Sequence, residues 1–177
     1  SLTQTQLQTI LTNMGTAGLR KQALLDLLNS TSTVIGYATS PNGNAPWTVV
    51  NPQVLSGGSG AAWNSVAAPT VIKDDTALPA ERYKMWFTNG KKDITQATLD
   101  ALDPATFGIN EMVDIVDGTS TVIGYATSLD GVNWPVVNRI PEVLSGGGSG
   151  AWNSVADPTV VNDGGTYRMW FTRGNTN

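Results

Sequence analysis

The chain has 177 residues, no cysteine, no histidine and a net charge of −4. This composition excludes disulfides, thiol nucleophiles, Ser-His-Asp triads and metal centres built on His or Cys, and we predict no metal site and no cofactor. No Lys/Arg-rich run and no membrane-length apolar run is present, so we expect neither nucleic-acid binding nor membrane insertion.

The first predicted elements are helical. Apolar side chains at helical spacing begin at Leu7, and Thr3 with Gln6 forms a capping box ahead of them. The run breaks at the glycines of residues 15–18, and a second short apolar run follows. We therefore predict a pair of short helices within residues 3–29.

Four strands are predicted after this helical pair. Residues 34–40 are β-branched and aromatic, and residues 47–50 form a short strand that follows a Pro/Asn/Gly turn. Residues 65–72 are apolar on both sides of Pro69, as a buried central strand would be. The last strand, residues 83–88, alternates between two faces. Tyr83, Met85 and Phe87 share one face, and Lys84, Trp86 and Thr88 share the other.

The rest of the chain repeats this order. The decapeptide TSTVIGYATS of residues 31–40 returns at residues 119–128, and YKMWFT returns as YRMWFT at residues 167–172. A second helical insert is predicted within residues 95–116. Such close identity indicates either a recent duplication or a designed array.

The repetition divides the chain into residues 1–92 and residues 93–177. Four strands per repeat with Gly-rich connections are typical of a propeller blade. The predicted fold class is therefore mainly β: β-propeller blades, each a four-stranded antiparallel sheet, with helical inserts between strands.

Two stretches of the second repeat resemble the blades of the five-bladed propeller glycosidases, glycoside hydrolase families 43 and 32. They are SVADPTVVNDGGTYRMWFT at residues 154–172 and IGYATSLDGVNW at residues 123–134. The resemblance covers both repeats but not the helical inserts. It implies that the Asp-Pro strand is innermost and that Asp157 lies near a central axis, as a ligand or as the remnant of a catalytic base.

The same resemblance argues against catalysis by this chain alone. The counterpart of Asp157 in the first repeat is Ala68. Glycoside hydrolysis needs two carboxylates across the scissile bond, and one axial Asp from two blades does not supply them. We therefore expect no strong hydrolase activity on arabinosides, xylosides or fructosides, although Asp157 is the one catalytic candidate. The alternative interpretation of Asp157 is structural, as a turn cap beside Pro158.

The tryptophans are the candidate sugar-binding residues. Trp63 and Trp152 follow Gly-rich crossings, and their indoles could stack on a sugar ring. Asp157 is the third predicted ligand-binding residue. Trp86 and Trp170 lie within strands, where packing between blades is the simpler prediction.

Three other features have structural interpretations. Glu111, Asp114 and Asp117 could hold a cation or form an acid/base pair, but a solvated helix face explains them as well. We predict that the Asp130 carboxylate accepts backbone N–H bonds while Gly131 takes a positive φ. The Gly-rich crossings lack the Gly-Lys-Ser/Thr ending of a phosphate-binding loop.

The leading functional prediction is a non-catalytic or degenerate glycosidase-like propeller module with carbohydrate as a candidate ligand, in a secreted or cell-surface protein. A start at Ser1 rather than Met indicates a processed or excised product. One alternative is a glycoside hydrolase whose carboxylate site is completed by other blades. The other alternative is a purely structural, self-assembling repeat, either natural or designed.

The partner that we expect is a second copy of the chain. With the Asp-Pro strand innermost, the chain holds two outer strands, then a whole blade over residues 65–137, then two inner strands. The two half-blades are complementary, and an unpaired edge strand promotes aggregation. We therefore predict a head-to-tail homo-oligomeric ring, with a trimer of six blades favoured over a dimer of four.

Overall fold

A computed structural model of the chain describes residues 32–57, 65–92, 101, 103, 119–147 and 153–174. These residues are mainly β structure, in three antiparallel sheets. The strands are β1 Ile35–Thr39, β2 Thr48–Leu55, β3 Val66–Lys73, β4 Tyr83–Lys92, β5 Thr119–Ser128, β6 Arg139–Leu144, β7 Val155–Asp163 and β8 Thr166–Arg173. Short 3-10 helices cover Pro79–Glu81 and Val136–Asn138. Apart from residues 101 and 103, the predicted helical inserts lie outside the described residues.

The central sheet has four strands in the order β3-β4-β5-β6, and the other two sheets pair β1 with β2 and β7 with β8. This order follows the chain, and it confirms the prediction of a four-stranded antiparallel sheet. The central sheet takes β3 and β4 from the first repeat and β5 and β6 from the second. The boundary between the repeats therefore falls inside a sheet, between two strands that pair over ten residues each.

The two faces of β4 each bury a separate hydrophobic core, as its alternating pattern predicts. Met85 and Phe87 join one cluster, which includes Ile35 and Leu55 of the β1–β2 sheet, and Tyr83 packs against it. On the opposite face, Trp86 packs with Ile123 of the same sheet and with Val155 and Val160 of β7. The central sheet is thus covered on one face by β1–β2 and on the other by β7.

Strand β3 lies at an edge of the central sheet, so the expectation of a central strand is wrong in this respect. Its register against β4 shifts between Ala67 and Thr70, and Ala68 in the shift has a φ of 47°. Pro69 follows, and a proline has no N–H for the ladder, which suits an edge or a bulge. Strand β7 has the same shift, with Asp157 at a φ of 53°.

The outer strand of the central sheet also differs from the prediction. The sheet ends with β6, Arg139–Leu144, rather than with the Trp134 segment at residue 137. After Trp134, Pro135 lacks an N–H, and the chain makes a 3-10 turn in which the Asn138 N–H donates to the Pro135 carbonyl. The Trp134 side chain is buried in the core instead. In the first repeat the short strand predicted at residues 47–50 extends as β2 to Leu55.

Candidate functional site

Asp157 lies in the bulge of β7, with its side chain exposed to solvent. Its backbone N–H donates to the Thr88 hydroxyl oxygen at 2.9 Å. Among the described residues, its carboxylate has no hydrogen-bond or ionic partner. Since Asp adopts a positive φ more readily than most residues, the backbone conformation alone accounts for an Asp here.

Of the predicted ligand-binding residues, only Asp157 lies within the described structure. Trp63, Trp152 and the acidic set Glu111, Asp114 and Asp117 all lie outside the described residues. The described tryptophans form two pairs at equivalent positions of the repeats, Trp47 with Trp134 and Trp86 with Trp170, and the members of each pair differ in burial.

The Asp130 turn has the predicted geometry. The Asp130 carboxylate accepts the N–H groups of Val132 and Asn133 at 2.9 and 2.7 Å, and Gly131 has a φ of 76°. The backbone N–H of Asn133, followed by that of Val132, holds the pKa of Asp130 well below its usual range. In the first repeat Asn42 holds the same place, and its side-chain oxygen accepts the Asn44 N–H at 3.0 Å.

Replacing Asp130 by Ala removes the oxygen that accepts both N–H bonds, and we expect a loss of about 1 kcal/mol in the free energy of unfolding at pH 7, as for a helix cap. Asp130→Asn is the matched control, since the first repeat uses Asn, and its loss is smaller. Because the folded pKa lies below the unfolded one, the carboxylate stabilises the fold above about pH 4, and this contribution is lost as the pH falls further. Urea unfolding at pH 7 and pH 3 therefore finds the difference between parent and Asn variant smaller at pH 3. An unchanged difference contradicts the assignment.

A hydrogen bond between neighbouring sheets occurs twice at equivalent positions. The Thr33 N–H donates to the Ser65 hydroxyl oxygen at 3.0 Å, and the Thr121 N–H donates to the Ser154 hydroxyl oxygen at 3.1 Å. The first bond joins the segment before β1 to the segment before β3, and the second joins β5 to the segment before β7. Both donors lie in the repeated decapeptide, at its third position. The central sheet therefore meets its two neighbours through the same contact.

A partly buried polar cluster joins the central sheet to β8. The Lys84 ammonium contacts the Asp74 carboxylate at 2.6 Å, and the Tyr167 hydroxyl donates to the same carboxylate oxygen at 2.8 Å. Hydrogen bonds from Lys84, then Thr76 and Tyr167, hold the pKa of Asp74 well below its usual range. Asp74, and to a lesser degree Tyr167, raises the pKa of Lys84 above its usual value. The Tyr167 ring also packs on Trp86, with 5.4 Å between the ring centroids.

The second repeat has the same ion pair without the cover. Arg168 and Asp163, the counterparts of Lys84 and Asp74, are joined at 2.8 Å. Their side chains are 58% and 60% exposed, against 13% and 10% for Lys84 and Asp74. The Lys84–Asp74 pair is less exposed because Tyr167 of the following sheet covers it, and no described residue covers the Arg168–Asp163 pair in this way.

Apolar counterparts show the same contrast. Trp86 is 8% exposed and its counterpart Trp170 is 58% exposed, while Trp134 is 4% exposed and its counterpart Trp47 is 58% exposed. In each pair the buried member belongs to the central sheet or the turn beside it, and the exposed member belongs to a two-stranded sheet or the turn beside it. The repeat thus carries side chains suited to burial that lie at the surface at both ends of the described structure.

The free edges of the two-stranded sheets match each other in sequence and register. In the central sheet Phe87 pairs with Gly124 and Met85 with Ala126. The corresponding residues are Phe171 and Met169 on β8, and Gly36 and Ala38 on β1. Among the described residues, neither β8 nor β1 has a strand on this side.

Side-chain shape supports the same match. A side chain at Gly124 would clash with the Phe87 ring, whose atoms lie 2.6 Å from the position of a Cβ. The decapeptide therefore has a glycine where the aromatic side chain of the paired strand crosses. Gly36 holds the equivalent position in the first repeat, and Phe171 of β8 is the equivalent of Phe87.

The backbone groups at these edges point outward. The Gly174 N–H donates to the Ser154 carbonyl on the β7 side, as the Gly90 N–H does to Ser65 on the β3 side. Because N–H groups alternate along a strand, those of Met169 and Phe171 face the free edge. The free edge of β8 is therefore a template for another strand.

In the described part of the chain, no group of three or more His, Cys, Asp or Glu side chains is placed to hold a metal ion. No helix there is long and apolar enough to cross a membrane. A cavity of about 360 Å³ lies beside Phe87 and Arg139, whose guanidinium donates to the carbonyls of Ser56 and Trp134.

Sequence reasoning missed the Asp74–Lys84–Tyr167 cluster. The available signal was the return of an Asp followed by Tyr-Lys or Tyr-Arg at the start of the YKMWFT strand in both repeats. The number of residues between the Asp and the Tyr differs between the repeats, which hid the correspondence.

Comparisons with known proteins give little further identification. No family model matches the chain, and no solved structure matches it. An uncharacterized protein of Mycobacterium tuberculosis, MT1551, is 46% identical over 50 residues. These residues are 28% of this chain and 16% of that protein.

Proposed function

We propose that the chain is a structural β-propeller repeat module that assembles head to tail with copies of itself. The observation that carries the proposal is the complementarity of its two-stranded sheets. In the central sheet β4 pairs with β5, whereas β8, the counterpart of β4, has no such partner among the described residues. Strand β1 lies in the other copy of the decapeptide that forms β5, and among the described residues it lacks the partner that β5 has in β4. One copy therefore supplies the strand that the next copy lacks.

Assembly would give the exposed apolar side chains a place to be buried. Pairing of β8 with β1 of a second copy makes a four-stranded sheet in the order β7-β8-β1-β2, equivalent to the central sheet. The equivalents of Trp47 and Trp170 in the central sheet are buried by such surroundings. Large exposed apolar surfaces on a folded chain usually mark an interface.

A ring follows if the same contact repeats until it closes. The interface is heterologous, because β8 of one copy meets β1 of the next, and heterologous interfaces close into rings when the rotation allows. Each copy contributes two sheets, so a trimer has six and a dimer four, both within the usual range of propellers. We favour the trimer.

Hydrolysis is the less favoured function for this module. Asp157 is exposed in its bulge, and Ala68 occupies the equivalent bulge of β3. An assembled ring would present one such carboxylate for every two sheets, whereas glycosidases place two across the scissile bond. The exposed Trp47 and Trp170 are accounted for by assembly, without a sugar ligand.

The proposal predicts that the full chain is oligomeric at micromolar concentration. We expect multi-angle light scattering to give a discrete mass of three chains, and deletion of residues 167–177 to give a species that does not reach it. A discrete dimer would keep the assembly and correct its number. A stable, fully folded monomer across the micromolar range contradicts the proposal.

A further inference from the structure

The exposed Asp163–Arg168 pair is equivalent to the partly buried Asp74–Lys84 pair, which is covered by a tyrosine of the next sheet. In the covered pair, the Tyr167 hydroxyl donates to Asp74 and lies 2.7 Å from the Lys84 ammonium. Lys84 also lies 5.0 Å from the centre of the Tyr167 ring. The tyrosine thus neutralises no charge but completes the hydrogen bonding of the pair and excludes water from it.

The residue that would cover the exposed pair follows from the repeat. Tyr167 is the first residue of YRMWFT, and its counterpart in YKMWFT is Tyr83. Tyr167 belongs to the sheet that follows the sheet of Lys84. If the β7–β8 sheet is completed by a second copy, the sheet that follows Arg168 is the central sheet of that copy, which carries Tyr83 at the equivalent position.

We propose that Tyr83 of a second copy docks on Asp163, Arg168 and Trp170, donating its hydroxyl hydrogen bond to the Asp163 carboxylate. This inference rests on the proposed head-to-tail assembly and names the residues that hold its polar contact. The partner is a second copy of this chain, recognised by a tyrosine hydroxyl, an ion pair and an indole face.

Tyr83 has the conformation that this contact needs. Its ring packs beside Gly131, where an added Cβ would approach it to 2.9 Å, so its position is fixed within its own sheet. The ring is half-buried, and its hydroxyl has no hydrogen-bond partner among the described residues. The Tyr167 hydroxyl, in contrast, has two.

Trp170 supplies the apolar half of the surface. Trp86 packs on Tyr167 at 5.4 Å and on Tyr125 at 5.1 Å between ring centroids. The counterparts of these three residues are Trp170, Tyr83 and Tyr37. In the proposed contact Trp170 lies between Tyr37, from the strand that completes its sheet, and Tyr83 of the same second copy. Aromatic pairs at such distances add to the stabilisation from buried area.

The experiment compares Tyr83→Phe and Asp163→Asn with the parent chain by sedimentation over a concentration series. Loss of a hydrogen bond to a charged group predicts an apparent dissociation constant about tenfold to a hundredfold higher for each interface. The double variant should dissociate no more than Tyr83→Phe alone, because Tyr83→Phe already removes the donor of the bond whose acceptor Asp163→Asn leaves uncharged. Tyr125→Phe is the control, since it removes a hydroxyl from the same sheet outside the proposed contact, and it should leave the dissociation constant unchanged.

The outcomes separate this inference from the proposed function. If the parent assembles and both single variants assemble equally well, the tyrosine contact is wrong and head-to-tail assembly stands. If additive effects are found in the double variant, the two residues do not contact each other and the inference is overturned. If the parent is monomeric throughout, the proposed assembly and this contact fail together. Asp163 is exposed, so Asp163→Asn keeps the test valid should Tyr83→Phe lower the stability of the fold.

Discussion

Ala38→Pro should leave the monomer folded and abolish its assembly. Ala38 corresponds to Ala126, which pairs with Met85 in the central sheet. Its N–H therefore faces the free edge of β1, where the proposed partner strand binds. Proline removes that N–H and places its ring at the edge, so a partner strand cannot pair there. An edge strand tolerates proline on its unpaired side. The preceding Tyr37 lies in a strand, a conformation that a residue before proline favours.

Ala126→Pro is the matched control, because the same substitution is made within the same decapeptide. Ala126 is fully buried in the four-stranded sheet, and its ladder bond to β4 cannot be replaced by water. We expect this variant to lose about 3 kcal/mol of stability or to fail to fold. Light scattering and urea unfolding of the two variants should give a folded monomer for Ala38→Pro and a destabilised chain for Ala126→Pro. Assembly of Ala38→Pro at the parent's concentration would show that β1 is not the interface.

The second large effect distinguishes the two equivalent tryptophans. Trp86 is packed between the central sheet and β7, and Trp86→Ala should lower the free energy of unfolding by about 3–5 kcal/mol. Trp170 is mostly exposed in the chain, so Trp170→Ala should cost the monomer less than about 1 kcal/mol. In the assembly, however, Trp170 would be buried as Trp86 is, and its truncation should prevent association at micromolar concentration.

Measuring both effects requires a monomeric reference, which Ala38→Pro provides. Urea unfolding of Trp86→Ala and Trp170→Ala in that background gives their cost to the chain alone. Sedimentation of the same substitutions in the parent background gives their effect on the dissociation constant of the assembly. If both substitutions lower the free energy of unfolding of the monomer equally, Trp170 is already part of the core. It would then not be available to pack against a second copy.

The strand order and the faces of β4 could be predicted from the sequence because both are local or repeated signals. Alternation along residues 83–88 places Met85 and Trp86 in different cores. The duplicated decapeptide identifies β5 as a strand, and the Asp130-Gly131 pair identifies a turn. Each of these signals lies within about ten residues of sequence, where short-range sterics and hydrogen bonding dominate.

The remaining features depend on residues that are distant in sequence. The Lys84 cluster needs a tyrosine 83 residues further along the chain, and no local pattern identifies it. The sequence predicts the outer strand at the Trp134 segment, because Trp is common in strands. In the structure Trp134 lies in the turn that precedes β6, and its side chain is buried in the core. The sugar-binding prediction on Trp63 and Trp152 stays a prediction, because those residues lie outside the described structure.

The central sheet draws half of its strands from each repeat, and this offset has an evolutionary consequence. A gene encoding one repeat would produce a chain with two inner and two outer strands that belong to different sheets. In the proposed assembly, duplicating such a gene adds one complete sheet and introduces no new kind of contact between sheets. Chains of one, two or three repeats could then build the same closed particle. Selection could therefore alter the number of genes or subunits without having to redesign the interface.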